Sequence, residues 1–181
     1  CAGTLANLSE NMENQISIVE EGSCTSLIYL GQQENDEIQQ DVARALANLT
    51  ANEENHVAVF EEGGLNCLID LTNSSDEVCQ RYAAMGLRFL SSNSMVRVEI
   101  VRQGLLQPFL HLAQSPILDF QRTAAAAFSS FPLNEINKAK LVREGALAQI
   151  LVCIRYKDLE VQRDCAFALA NIADSPEYQN D

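Results

Sequence analysis

The sequence has no tryptophan, and it is poor in histidine, proline and glycine. Its 181 residues include two His, four Pro and eight Gly. Scarce glycine favours helices over a glycine-rich β architecture. The six cysteines form no C-x-x-C pair, and only His56 and His111 are present to help them hold a metal. We therefore expect reduced thiols, with no metal site and no cofactor.

Basic residues are nearly missing from the first part of the chain. Residues 1–75 contain one, Arg44, against thirteen acidic residues, whereas residues 76–181 contain eleven basic and twelve acidic residues. The overall net charge is −13. An acidic surface repels nucleic acid and anionic lipid, so neither is expected as a partner. A basic partner is one interpretation, and an ordinary solvated surface is the other.

Catalytic motifs and long apolar runs are also missing. No G-x-S-x-G, H-E-x-x-H or phosphate loop is present, which predicts a non-enzyme with no small-molecule substrate. No run is long enough to insert in a membrane. Because the chain begins at Cys1, we expect a fragment of a longer protein. The expected location is cytoplasmic, with membrane tethering or nuclear targeting left open through segments outside this chain.

A period of 41 residues organises the whole sequence. One glycine per copy recurs at this step, at Gly22, Gly63, Gly104 and Gly145. A second phrase keeps the same step and begins at Leu5, Leu46, Leu87, Phe128 and Leu169. It reads Leu-Ala-Asn-Leu in the first two copies. Self-similarity at this period is typical of a helical repeat array.

Each copy reads as three helices, of which the first ends at the recurrent glycine. The pattern predicts one all-α domain over 1–181 with an orphan third helix at 1–9 and a tail at 174–181. The four complete copies are expected at 12–50, 53–91, 94–132 and 135–173. Self-association through the uncapped ends is a further expectation.

The third helix of each copy has an apolar face. In the first complete copy it consists of Val42, Ala43, Leu46 and Leu49. The equivalent sets are Ala83, Ala84, Leu87 and Leu90; Ala124, Ala125, Phe128 and Phe131; and Cys165, Ala166, Leu169 and Ile172. No single copy can bury such a face alone, so the copies are predicted to stack into a solenoid.

The period, the glycine between the first two helices and the Leu-Ala-Asn-Leu phrase resemble the armadillo-repeat family. The resemblance implies a right-handed α-α superhelix that binds proteins or extended peptides in a groove lined by the third helices. It also implies that asparagine side chains hold the ligand backbone. Within the family, the sequence looks more like the β-catenin-like or organelle-tethered adaptors than like importin-α.

The groove positions follow from the helical angle opposite the core face. They are Gly3 and Asn7; Asp41, Arg44 and Asn48; Tyr82, Met85 and Phe89; Thr123, Ala126 and Ser130; and Asp164, Phe167 and Asn171. The family's asparagine position holds Asn7, Asn48 and Asn171, but Phe89 and Ser130 in the middle copies. Tryptophan, which importin-α-like proteins carry four residues earlier, is replaced by Gly3, Arg44, Met85, Ala126 and Phe167.

The middle of this predicted groove is apolar. Tyr82, Met85 and Phe89 share one side of their helix, and such side chains are favoured at interface centres. This pattern indicates an anchor site for a partner. The alternative is that the three side chains belong to the core between copies.

Three arginines also keep the 41-residue step. Arg81, Arg122 and Arg163 each follow a glutamine and predict a basic row suited to acidic or phosphorylated ligands. The alternative is pairing with nearby carboxylates on the same helix, at Glu77, Asp119 and Glu160.

These patterns together predict a non-catalytic protein-interaction scaffold that binds a protein or extended peptide. One alternative is a structural spacer or oligomerisation element whose groove is unused. A third is a nuclear-transport adaptor or a nucleic-acid-binding protein, which the overall charge disfavours.

Overall fold

The computed structural model describes residues 1–133 and 135–174, and every regular element in those ranges is helical. The chain divides into two compact units, Cys1–Asn93 and Ser94–Asp181, which are described separately below. None of the helices in the described residues combines the length and apolarity needed to span a membrane.

The first unit contains seven α-helices and a short 3₁₀ turn at Glu53–Asn55. The α-helices are α1 (Ala2–Leu8), α2 (Met12–Glu20), α3 (Ser23–Gly31), α4 (Asp36–Thr50), α5 (His56–Glu61), α6 (Gly64–Leu71) and α7 (Glu77–Ser92).

The described part of the second unit contains six α-helices and a 3₁₀ turn at Phe131–Leu133. The α-helices are α8 (Ser94–Arg102), α9 (Leu106–Gln114), α10 (Leu118–Ser130), α11 (Glu135–Arg143), α12 (Ala146–Cys153) and α13 (Leu159–Ala173).

Helix starts follow the sequence period residue by residue. The third helices of the four complete copies begin at Asp36, Glu77, Leu118 and Leu159, which are 41 residues apart. Each of these copies contributes three helical segments, with α1 as an additional third helix. The predicted three-helix copy is therefore confirmed.

The recurrent glycine has the predicted backbone conformation in all four copies. Gly22, Gly63, Gly104 and Gly145 have φ angles of 74°, 94°, 77° and 88°. L-residues with a Cβ are disfavoured in this left-handed region, whereas glycine is not. The glycine therefore lets the chain end the first helix and turn directly into the second.

Polar side chains close the start of the third helices. Asn35, Asp76 and Asp158 cap α4, α7 and α13 by accepting the N–H of the third residue beyond them. A glutamine near the start of each third helix then donates to the carbonyl oxygen six residues earlier, at 2.7–3.0 Å. These residues are Gln39, Gln80, Gln121 and Gln162. The glutamine thus fixes the loop before the helix.

The core of the first unit lies where α4 packs between α1 and α7. All the predicted core residues on α4 and α7 are at most 1% exposed. Burial of one such leucine side chain contributes about 1.5–3 kcal/mol. At Gly86 an added Cβ would lie 2.8 Å from Leu68 and 3.5 Å from the Cα of Ala47. A small residue is therefore required for this close helix approach.

In the second unit the core is built on aromatic side chains. Phe109 of α9 and Phe131 contact edge to face, with ring centroids 5.3 Å apart and an interplanar angle of 88°. Ala166 and Leu169 differ from the prediction, because Ala166 is exposed and Leu169 is only half-buried. Among the described residues, no further third helix packs on that side of α13.

Gly63→Ala should lower the free energy of unfolding by about 1 kcal/mol, because a Cβ disfavours the left-handed conformation. No atom lies within 4 Å of the new Cβ, so the cost is one of backbone conformation and not of crowding. Urea unfolding followed by circular dichroism measures it. Gly63→Asn is the matched control and should lose less, since asparagine tolerates this region. Equal or higher stability of the alanine variant would contradict the explanation.

Candidate functional site

The predicted site residues of the first unit lie on the third helices α1, α4 and α7. We use the term third-helix face for the solvent-accessible side of these three neighbouring helices. It carries Asn7, Arg44, Asn48, Arg81, Tyr82, Met85 and Phe89, none of which is fully buried. The face therefore brings together the predicted residues of the first unit.

Arg44 ties α4 to the end of α1. Its guanidinium donates to Glu10 Oε1 at 2.9 Å, to Asn7 Oδ1 at 2.9 Å and to Asp41 Oδ1 at 3.1 Å. The Arg44 side chain is 24% exposed. Three acceptors satisfy most of the donor directions of this guanidinium. Arg44 therefore orders the face and neutralises part of its negative charge.

The asparagine position makes the same bond in both units. Asn48 Nδ2 donates to the Ala6 carbonyl oxygen at 3.4 Å and to Ser9 Oγ at 3.2 Å. In the second unit, Asn171 Nδ2 donates to the Ser129 carbonyl oxygen at 3.4 Å. In both cases the acceptor carbonyl lies 42 residues earlier, on the preceding third helix. The bond orients the amide, whose oxygen accepts no hydrogen bond from the described residues.

The apolar residues of α7 lie on the accessible side of that helix. Met85 is 36% exposed, and Tyr82 and Phe89 are half-buried. Their helix neighbours Ala84 and Leu87 are at most 1% exposed, so the buried and accessible sides of α7 are distinct. We call Tyr82, Met85 and Phe89 the apolar patch.

In the second unit the corresponding side chains come from α10 and α13. Phe167 is 53% exposed, and Ser130 and Asn171 are half-buried. Ser130 Oγ donates to the Ala127 carbonyl oxygen at 2.9 Å. Two positions expected on this side are buried instead, Thr123 at 2% and Asp164 at 8% exposure. The helical angle alone does not predict this burial.

The three repeated arginines all form ion pairs. Arg81 contacts Glu77 at 2.8 Å on the same helix, which is the predicted local pair. Arg163 contacts its neighbour Asp164 at 2.8 Å. Arg122 reaches from α10 to Asp158 at 2.8 Å and Glu160 at 3.3 Å, at the start of α13, and the charge of Asp119 also acts on it. Tertiary packing thus supplies Arg122 with partners other than the local Asp119.

Arg122 also changes the acidity of its partner. Its hydrogen bond is the main cause that lowers the pKa of Asp158, and the backbone N–H of Val161 adds to the effect. Asp158 is at the same time the cap of α13. One carboxylate therefore serves both the helix start and the contact between the third helices α10 and α13.

Sequence reasoning missed several polar residues that the fold uses. Glu10 joins the Arg44 network from the end of α1. Buried Gln15 and His56 stand 41 residues apart, and each bonds through Nε2 to the carbonyl oxygen six residues earlier. Because one is a glutamine and the other a histidine, comparing the copies by residue type does not show that they occupy the same repeat position. The described residues contain no group of three or more His, Cys, Asp or Glu side chains that could hold a metal ion.

Solved structures with the same arrangement of helices are known. A computationally designed armadillo repeat protein for modular peptide recognition superposes with a TM-score of 0.88 and 23% identity, covering 99% of this chain and 77% of its own. The chain has an armadillo-like fold.

Two further solved structures are also similar to this chain. A designed armadillo repeat protein in complex with the peptide (KR)4 has a TM-score of 0.79 and 24% identity, covering 93% of this chain and 72% of its own. An engineered protein has a TM-score of 0.81 and 28% identity, covering 96% and 74%. No protein-family model and no curated protein matches the sequence.

Arg122→Ala should destabilise the chain in a pH-dependent way. In the folded chain, the pKa of Asp158 is depressed below the usual value of an aspartate side chain. The stability from this pair is therefore fully present above the pKa of Asp158 in the unfolded chain, and it is lost as the pH falls through the lower folded-state pKa. The difference in unfolding free energy between wild type and variant should be largest at about pH 7 and shrink in acid.

Urea unfolding over a pH series measures this difference. Arg122→Lys is the matched control, because it keeps the positive charge but not the planar fork that spans two carboxylates. It should retain part of the effect. A difference that stays constant from neutral to acid pH would contradict the assignment.

Proposed function

We propose that this chain is a non-catalytic armadillo scaffold that binds an extended peptide segment of a partner protein on the third-helix face of residues 1–93. The apolar patch on α7 is the observation that carries the proposal. Tyr82, Met85 and Phe89 stand at the positions where α4 has the polar residues Asp41, Arg44 and Asn48. Accessible aromatic and methionine side chains favour an apolar anchor residue in the ligand.

The backbone of the bound segment would be held by asparagine. The amide nitrogen of Asn48 donates to Ala6 of α1 and to Ser9, which follows that helix. Its amide oxygen is therefore the atom that can accept a hydrogen bond from a ligand N–H. The spacing supports an extended ligand. Neighbouring third helices lie about 10 Å apart, which corresponds to roughly three residues of an extended chain.

Charge favours a ligand without acidic residues. The first unit contains three basic and fifteen acidic residues. Of the basic residues, Arg44 and Arg81 are already paired with carboxylates. A neutral or basic peptide would therefore approach more readily than an acidic one.

The known structures support peptide recognition as a use of this fold. One designed neighbour was made for modular peptide recognition, and another is in complex with (KR)4. By the same fold, the present chain would bind a peptide as a scaffold. The cytoplasmic location expected from the sequence stays a prediction.

The test is to select peptides that bind the chain and then to measure how tightly variants of the apolar patch bind them. Random extended peptides are displayed on phage, selected on the chain, and measured by fluorescence anisotropy. Phe89→Glu and Met85→Glu should each weaken the selected peptides at least about tenfold, because loss of a hot-spot contact costs more than about 1 kcal/mol. Met85→Glu is included because its more exposed position carries less risk to folding.

Tyr29→Glu provides the matched control. Tyr29 is an aromatic residue on α3, away from the third-helix face, and it is 66% exposed. Its variant should bind like wild type, and all variants should keep the helical circular dichroism spectrum. The proposal would be overturned in favour of a structural spacer if no peptide is selected. It would also be overturned if both patch variants bind the selected peptides as tightly as wild type does.

A further inference from the structure

Arg44 occupies a place on the third-helix face that suits a cationic side chain of a ligand. Three oxygen atoms meet at its guanidinium group, one from α1, one from the turn after α1 and one from α4. They are Asn7 Oδ1 and Glu10 Oε1 at 2.9 Å and Asp41 Oδ1 at 3.1 Å. We call them the acceptor set. Two carboxylates and an amide oxygen suit a guanidinium group, whichever chain supplies it.

The acceptor set lies within reach of solvent. The side chain of Glu10 is 59% exposed and that of Asp41 is 34% exposed. A cation on an incoming peptide can therefore approach these carboxylates from the accessible side of α1 and α4. In this chain the same oxygen atoms already accept hydrogen bonds from Arg44, whose side chain is 24% exposed.

Arg44 has no charged equivalent in the other copies. The residues at its repeat position are Gly3, Met85, Ala126 and Phe167. At the position of Glu10, the next three copies have Ala51, Ser92 and Leu133. The packing of one third helix on the next therefore does not require this network of charges. Its presence between α1 and α4 points to a role on the accessible surface.

Gly3 gives Asp41 room to join the acceptor set. It has on α1 the repeat position that Arg44 has on α4, and a Cβ there would lie 2.7 Å from Asp41 Oδ2. A larger residue would push the carboxylate away. The acceptor set therefore depends on matched residues of α1 and α4.

We propose that Arg44 is a specificity-determining residue, which fills the acceptor set with a guanidinium group of the chain itself. A lysine or arginine of a ligand must displace Arg44 to reach these three oxygen atoms. The tethered group has the advantage, because its effective concentration at the site is high. Basic ligand residues are thus excluded opposite α4, and the apolar patch on α7 is left as the main anchor. This inference rests on the peptide binding proposed above.

The acidic character of the first unit is compatible with this selectivity. Its fifteen acidic residues attract a basic peptide as a whole, which raises the rate of encounter. Arg44 acts only at short range, where it removes the acceptors for one particular side chain. Basic residues are therefore tolerated elsewhere in the ligand but are not recognised between α1 and α4.

A small cation tests whether Arg44 closes this site. Ethylguanidinium is the probe, because it has the atoms that Arg44→Ala removes beyond Cβ. Two-dimensional NMR of the isotope-labelled chain follows the backbone amides. The probe should bind Arg44→Ala at least about tenfold more tightly than wild type, since charge-assisted hydrogen bonds to the freed carboxylates become available. The amide signals of Asn7, Glu10 and Asp41 should shift along one common saturation curve.

Arg81→Ala is the matched control. It also removes an arginine from the third-helix face, but the ion pair of Arg81 with Glu77 lies within one helix, and the two side chains are 60% and 70% exposed. A well-solvated carboxylate attracts a cation only weakly. The affinity of Arg81→Ala for ethylguanidinium should therefore equal that of wild type.

Two further variants separate charge from folding. Arg44→Lys keeps a tethered cation and should bind ethylguanidinium less tightly than Arg44→Ala does. Arg44→Met introduces the residue that α7 has at this position, keeps the hydrocarbon stem and frees the same oxygen atoms. It replaces Arg44→Ala in the experiments if circular dichroism shows that the alanine variant is unfolded.

Peptide selection measures the effect on specificity. The phage library is selected in parallel on wild type and on Arg44→Ala. Peptides from the variant should carry lysine or arginine roughly three residues from the apolar anchor, since neighbouring third helices lie about 10 Å apart. Replacing that basic residue by alanine should weaken binding to Arg44→Ala at least about tenfold and leave binding to wild type unchanged.

Two results would overturn the role of Arg44. One is that ethylguanidinium binds Arg44→Ala no more tightly than wild type. The other is that peptides selected on wild type depend on a basic residue at this distance from the anchor as strongly as those selected on the variant. If neither protein selects a peptide, the peptide-binding proposal fails, and the affinity for ethylguanidinium still decides whether Arg44 closes the site.

Discussion

The structure depends on the burial of one face of each third helix between its neighbours. In the first unit, α4 is covered by α1 on one side and by α7 on the other, and the inward residues of α4 have no exposed surface. Paired surface charges contribute less stabilising free energy than the burial of this apolar face. The left-handed glycines and the capped loops bring successive third helices into the register that this packing needs.

This packing divides each third helix into constrained and unconstrained positions. Alanine and leucine recur inside, and Gly86 shows that one added carbon would collide with Leu68. On the accessible side the equivalent residues are Arg44, Met85, Ala126 and Phe167, which differ in size and, at Arg44, in charge. Since the packing does not determine these residues, the accessible side of the third helices is where the proposed peptide binding is located. Asn48 and Asn171 are intermediate, because each holds the preceding helix with its nitrogen and leaves its oxygen available.

Much of the fold could be predicted, whereas contacts between helices could not. A strict period predicts the starts of α4, α7, α10 and α13, since backbone hydrogen bonding and glycine turns act locally. Angular reasoning failed at Thr123, which is buried, because it does not include the distance between neighbouring helices. It also missed the pairing of Arg122 with Asp158, since a long side chain can leave its own helix.

The sequence by itself therefore determined the repeat, the helices and the identity of the core face. These properties follow from hydrophobic periodicity and from the conformational freedom of glycine, both of which are encoded within 41 residues. The tertiary structure decided which polar groups meet: Arg44 with Glu10, and Arg122 with Asp158. Such pairs depend on helix separation and on side-chain conformations, and those are set only when the copies pack together.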